Sequence, residues 1–138
     1  MGETRLSWTG EDLQFLGFAE YGEAVKIGGE EDGAGAQPKD LLPLGLAGCA
    51  SYDVVLILQK QRQDLRGYEV KITSEQEPDP PWAFTSIHLH YVITGDVDEH
   101  KVERAIDLAE RKYCTVAASI SDAIAFTHSF EVVRSVRA

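Results

Sequence analysis

The chain is short of several things. Its 138 residues hold two cysteines, one methionine, and 13 lysines and arginines against 23 aspartates and glutamates, a formal net charge of -10. Two cysteines with neither a C-x-x-C pair nor a suitably spaced histidine exclude the common structural zinc sites, and no metal or other cofactor is expected. A disulfide-built scaffold is excluded on the same count. The acidic excess repels nucleic-acid phosphates and anionic bilayers, so neither nucleic acid nor membrane is an expected partner. The N-terminal Met1-Gly2-Glu3-Thr4-Arg5 has no signal-peptide core behind it, and no stretch reads as long enough to span a membrane. The expected compartment is therefore the cytoplasm, where a lasting structural disulfide is unusual.

What is present is ordinary globular composition, 43% hydrophobic and 26% charged, with no repeat and no low-complexity run. The size suits one domain over 1–138. The first 30 residues predict a β-meander of three runs, Arg5 to Thr9, Leu13 to Ala19 and Ala24 to Gly28, separated by glycine-bearing turns. The glycine-rich stretch 28–36, which includes the acidic Glu30-Glu31-Asp32, matches no phosphate-binding spacing and reads as a mobile loop.

From Pro38 to Arg62 the pattern is helical, with proline in the first turn and Lys60, Arg62 and Gly67 at the end. Leu42, Leu44, Leu46, Ala50, Val54, Val55 and Leu58 cannot share one face, so this helix must be covered on several sides. Pro43 lacks the N–H for an interior helical bond, which requires either a helix starting near Asp40 or a kink. Two strands follow within 68–94, Tyr68 to Ser74 and Phe84 to Thr94, joined by a proline-rich linker. In the second, Ile87, Leu89, Tyr91 and Ile93 point one way and His88, His90 and Thr94 the other. The two histidines have no third ligand nearby and read as a solvated or interface face.

An amphipathic helix over 98–113 begins at Asp98 as N-cap, with Val97 and Val102 placed for a hydrophobic staple. Its stripe is Val102, Ala105, Ile106 and Ala109, with Glu103, Asp107, Glu110 and Arg111 on the polar side. A short helix, Val116 to Ile120, and a closing strand within 122–136, running from Ala125 to Val136, complete the chain. Segregated strands and helices give an α+β fold with mostly antiparallel pairing. No serine elbow or Ser-His-Asp pattern supports hydrolase chemistry, and His100 and His128 read as surface or strand residues.

Cys49 and Cys114 stand 65 positions apart. The residues alone leave two readings open, a redox pair or two small buried hydrophobes.

The segments Pro38-Lys39-Asp40-Leu41-Leu42, Leu46-Ala47-Gly48-Cys49 with Asp53-Val54, Ile57-Leu58-Gln59-Lys60, and Lys112-Tyr113-Cys114-Thr115-Val116 resemble the OsmC/Ohr family of organic hydroperoxide reductases, in particular its short YhfA-like branch. The resemblance covers nearly the whole chain. It implies an intertwined homodimer in which antiparallel sheets wrap central buried helices, and a cofactor-free thiol peroxidase acting on organic hydroperoxides. By motif, Cys49 is then the peroxidatic cysteine and Cys114 the resolving one, forming a disulfide that a dithiol, such as a lipoyl group, reduces. The resemblance also implies an acid and an arginine that activate the thiolate. The acid falls at Asp40, since Lys39 occupies the alternative register. No arginine stands in a matching motif, and Arg5 and Lys26 are the only cations before Lys39. That departure keeps a second expectation alive, a redox-responsive binding dimer on the same fold that does not turn over.

Overall fold

The computed structural model describes residues 2–30 and 33–134. Glu31 and Asp32 of the acidic cluster, and positions 135–136 of the expected closing strand, lie outside the described residues. The chain divides into two compact units, Met1–Leu42 and Pro43–Ala138.

The first unit is an antiparallel meander of β1 (Arg5–Trp8), β2 (Gln14–Phe18) and β3 (Val25–Gly28). Its first turn is closed by the Thr9 N–H donating to the Gln14 carbonyl at 3.0 Å, and by Gly10 at φ +90°, where a side chain would be strained. The base of the glycine-rich segment is clasped to β3. The Gly28 N–H donates to the Ala36 carbonyl at 2.7 Å, and the Gly35 N–H to the Gly28 carbonyl at 2.9 Å. A 3-10 turn, Pro38–Asp40, then leads into the long helix α1 (Leu41–Lys60).

Because α1 starts at Leu41, Pro43 falls in its first turn, where its missing N–H has no helical partner to lose. No kink is needed. Along the helix, Leu46, Ala50, Val54 and Leu58 recur every four residues and are all fully buried. The opposite side is nearly as apolar yet open, with Leu44, Tyr52 and Leu56 exposed. One correction to the sequence reading follows from this composition. By length and hydropathy, Pro38–Lys60 is long and apolar enough to cross a membrane. A core helix of this kind passes the same test, and α1 carries Asp53 in its middle and the core stripe on one face.

The second unit's sheet has the order β4-β5-β6, with β4 at Asp64–Gln76, β5 at Phe84–Asp96 and β6 at Ala125–Val133. β4 and β5 form a long antiparallel hairpin, both extending beyond their expected limits. Its open end is shaped by a bulge between Leu65 and Gly67 opposite Gly95, whose φ is +140° and whose Cβ, if present, would meet the Asp64 carbonyl oxygen. The pairing is mostly antiparallel, as expected, the exception being β6, which pairs parallel to β5, with Ile87 beside Phe126 and Tyr91 beside Phe130. Parallel neighbours require a crossover, and segment 97–124 supplies it.

That crossover contains α2 (Glu99–Leu108), a π-helical turn (Ala109–Tyr113) and the short α3 (Thr115–Ser119). Asp98 caps α2, its carboxylate accepting from the backbone N–H groups of His100 at 2.8 Å and Lys101 at 3.3 Å. Val97 and Val102 are both fully buried, as a hydrophobic staple requires. The core joins three faces: Ile87, Leu89, Tyr91 and Ile93 of β5, the buried stripe of α1, and Val102, Ala105, Ile106 and Ala109 of the crossover. The fold is α+β.

Candidate functional site

Cys49 lies on α1 one residue before the fully buried Ala50, and it is half-buried among the side chains packed against the core. Cys114 is 3% exposed, at the junction between the π-helical turn and α3. Its Sγ accepts a hydrogen bond from the Ala117 N–H at 3.3 Å, so the thiol itself caps α3. The fold brings the two cysteines together, each thiol being a hydrogen-bonding neighbour of the other, and both are free. Burial pushes the Cys114 thiol up to about 11. The Ala117 N–H opposes that rise, and the nearby Cys49 sulfur adds to it. At neutral pH Cys114 is therefore a neutral thiol.

Two tyrosines stand around the pair. The Tyr68 hydroxyl donates to Ser51 Oγ at 2.8 Å, two residues along α1 from Cys49. Burial raises Tyr68 to about 12, against the Ser51 bond and with the Glu110 charge. Tyr91 is fully buried, meets the Tyr68 ring edge-on at 6.3 Å between centroids, and donates from its hydroxyl to Glu110 Oε2 at 2.6 Å. Burial first, then Glu110, then Tyr68 and Cys114 hold the Tyr91 phenol far above its ordinary value.

The other Glu110 oxygen, Oε1, lies 2.7 Å from His128 Nδ1, and the Glu110 side chain is only 9% exposed. Here the structure corrects the assignment of Glu110 to the polar side of its helix, while His128 stands at an exposed strand position of β6, as expected. Position 110 falls four residues after Ile106 and eight after Val102, so the buried stripe runs on into the π-helical turn. That spacing was the signal available in the sequence; the acidic side chain masked it.

Among the described residues, concave surfaces of this unit include the following. Ser51, Tyr52, Val55, Leu56, Gln59 and Tyr68 line an apolar groove of about 440 Å³ along the open side of α1. Glu110, Arg111, Phe126, Thr127 and His128 line another of about 450 Å³. A third of about 450 Å³ adjoins it through Arg111 and His128, with His100 and Arg104 on its wall. His88 and His90 are engaged in a polar ladder with β6: His88 contacts Thr127 Oγ1 at 2.7 Å and Ser129 Oγ at 2.9 Å, and His90 contacts Ser129 Oγ at 2.6 Å and Glu131 Oε1 at 3.1 Å. No group of three or more metal-ligating side chains converges among the described residues. Of the site residues expected from sequence, Cys49 and Cys114 meet in the second unit. Asp40 ends the 3-10 turn of the first.

The model of the family described as OsmC-like protein matches residues 29–129. Protein YhfA of Escherichia coli K12 is 41% identical over 132 residues, covering 95% of this chain and 98% of that protein. A solved structure of a hypothetical protein from Aquifex aeolicus VF5 is similar at a TM-score of 0.87 and 27% identity, covering 99% of this chain and 98% of its own. An organic hydroperoxide resistance protein OsmC from Legionella pneumophila shares the fold at a TM-score of 0.67 and 16% identity, over 96% and 97% of the two chains.

Proposed function

Because the chain belongs to the OsmC-like protein family, we propose that it is a cysteine-based peroxidase that reduces organic hydroperoxides with no cofactor. The observation that carries this reading is the meeting of Cys49 and Cys114 from 65 positions apart, one half-open and one buried and protonated. In the first step the Cys49 thiolate attacks the terminal peroxide oxygen. The O–O bond breaks, an alcohol leaves after taking a proton, and Cys49 becomes a sulfenic acid. Cys114 then attacks the Cys49 sulfur, forming a Cys49–Cys114 disulfide as water departs. A dithiol, such as a lipoyl group, returns both cysteines to thiols and is itself oxidised.

Asp40 is carried over from the motif as the acid that helps activate Cys49, with no matching arginine. The open apolar side of α1, with Leu44, Tyr52 and Leu56 exposed, favours a homodimer in which a second copy covers it. The 440 Å³ apolar groove on the same side suits an alkyl chain. Composition and the free cysteines fit the cytoplasm. The unmatched arginine favours one second reading, a dimer on this fold whose cysteines respond to oxidation without turnover.

The deciding experiment is a thiol count with intact mass before and after one equivalent of cumene hydroperoxide. Wild type is expected to lose two thiols and about 2 Da rapidly, Cys114→Ser to hold a sulfenic acid, and Cys49→Ser to stay unreacted. Oxidation no faster than that of a free thiol in all three proteins overturns the peroxidase and leaves the responsive dimer.

A further inference from the structure

The face of the β4-β5-β6 sheet turned away from the core carries an unbroken row of polar side chains that the cysteine chemistry does not use. Ile87, Leu89, Tyr91 and Ile93 of β5 are fully buried, so His88 and His90 between them point to the other face. The parallel register sets His88 beside Thr127, His90 beside Ser129 and Val92 beside Glu131. Contacts then link the row from end to end: Thr127 Oγ1 to His88 Nδ1 at 2.7 Å, His88 Nε2 to Ser129 Oγ at 2.9 Å, Ser129 Oγ to His90 Nδ1 at 2.6 Å, and His90 Nε2 to Glu131 Oε1 at 3.1 Å. A face that served only to be wetted would leave these side chains to water. Here both nitrogens of each imidazole have a protein partner at hydrogen-bond distance.

The direction of the row follows from its last member. A carboxylate only accepts, so His90 Nε2 carries a hydrogen and donates it to Glu131. In the neutral imidazole Nδ1 is then the acceptor, and it takes the single hydroxyl hydrogen of Ser129. The Ser129 oxygen in turn accepts from His88 Nε2, and His88 Nδ1 accepts from the Thr127 hydroxyl. Ser129, His90 and Glu131 thereby stand as a hydroxyl nucleophile, a general base and the acid that orients the base. The amino-acid string hides this relation, because the three residues meet only through the β5–β6 pairing.

We propose that Ser129 is a nucleophilic serine, with His90 its general base and Glu131 a positioning residue, and that this face of the sheet hydrolyses small acyl esters. Ser129 Oγ attacks the ester carbonyl as its proton passes to His90 Nδ1. The tetrahedral adduct collapses, the bond from the acyl carbon to the leaving oxygen breaks, and the departing alcohol takes the proton from His90. Water then attacks the acylated serine and gives a proton to His90; the bond from the acyl carbon to Oγ breaks, Ser129 recovers the proton, and a carboxylic acid leaves. Nothing is oxidised or reduced. Glu131 holds the Nε2 hydrogen and stabilises the imidazolium that forms, while His88 donates to Oγ as it parts from the acyl carbon. Lys71 of β4, in register with His90, brings to this face a cation, the sign that a developing oxyanion needs. Ser129 and His90 are half-buried on the sheet face, a setting that a short acyl group such as acetyl can reach. The inference stands apart from the two cysteines, which pack on the core side of the sheet.

The test uses two probes on the full chain. Wild type treated with diisopropyl fluorophosphate and digested is expected to carry the phosphoryl adduct on Ser129, read by peptide mass. In a Cys49→Ser, Cys114→Ser background, which removes acylation of the thiols, p-nitrophenyl acetate is expected to be hydrolysed with an initial burst of p-nitrophenolate. Ser129→Ala and His90→Ala in that background are expected to lower the rate by about tenfold or more. Glu131→Ala is expected to slow acylation and to move the His90 ring-nitrogen NMR shifts away from the Nε2–H tautomer, a change that a merely structural role would not produce. Absence of the Ser129 adduct in wild type, which needs no variant to fold, overturns the proposal. Ester hydrolysis in Ser129→Ala equal to that of its background overturns it as well, and an unchanged rate and tautomer in Glu131→Ala overturn the part assigned to Glu131.

Discussion

Cys49 and Cys114 share one site and almost nothing else. Cys49 sits in the interior of a twenty-residue helix, half-buried, near a groove of about 440 Å³. Cys114 sits between two short helical pieces, 3% exposed, its sulfur accepting from a backbone N–H. A thiol that must meet a substrate needs access, and a thiol that must wait benefits from staying protonated. On the proposed reading, burial is the largest influence separating the two roles, because desolvation disfavours the charged form of the sulfur that is closed off. The lesson is that the depth at which a fold holds two identical side chains suits them to different jobs.

The strongest way to break this comparison is to remove each sulfur in turn. Cys49→Ser is expected to lower hydroperoxide consumption by about a thousandfold or more, whereas Cys114→Ser retains a single turnover and then stops. Equal losses in both, read by a coupled peroxide assay, would erase the division of roles. Next in size is the helix that carries Cys49. Leu46→Ala on its buried face is expected to cost about 2–5 kcal/mol in urea unfolding at any protein concentration. Leu56→Ala on the open face is expected to weaken self-association, so its cost should shrink on dilution; sedimentation across concentrations checks this.

The third prediction uses pH to test the environment of Cys114. A cysteine whose folded value is raised to about 11 binds its proton more tightly when folded, so its contribution to stability is complete below the unfolded value and is lost as pH rises through the folded one. Wild type is expected to lose about 2–3 kcal/mol between roughly pH 9 and 11 through this group. Tyr68 also titrates upward of its ordinary value, so the difference between wild type and Cys114→Ser isolates the thiol. Parallel pH profiles for the two proteins would place Cys114 in a more open setting. The smallest expected effect is at the bulge opening the β4–β5 hairpin. Gly95→Ala, at φ +140° and against the Asp64 carbonyl, should destabilise by about 1–3 kcal/mol in thermal melts without altering either cysteine's reactivity.

The Cys49 side of the comparison was largely legible from the residues. The proline at the start of α1, the four-residue spacing of Leu46, Ala50, Val54 and Leu58, and the excess apolar surface all appear in the string and in the fold. The Cys114 side was not. A glutamate at 110 reads as solvent-facing because acids usually are, and only tertiary packing supplies the Tyr91 and His128 partners that let its side chain be buried. The parallel placement of β6 was equally hidden, since alternation identifies a strand and its inward face but says nothing about direction. The meeting of the two sulfurs depends on that same long-range arrangement.

The direction of β6 governs when the site comes into being. The β4–β5 hairpin is joined by a short linker and can pair early, but β6 reaches its register only after the whole of segment 97–124 has been laid across the core. Cys114 lies inside that segment. During synthesis, then, Cys49 emerges and its helix forms while the second thiol is still unplaced, and the pair exists only once the longest loop of the unit has closed. An oxidant that meets the nascent chain early therefore finds one cysteine rather than a pair, with no second thiol to take up its sulfenic acid.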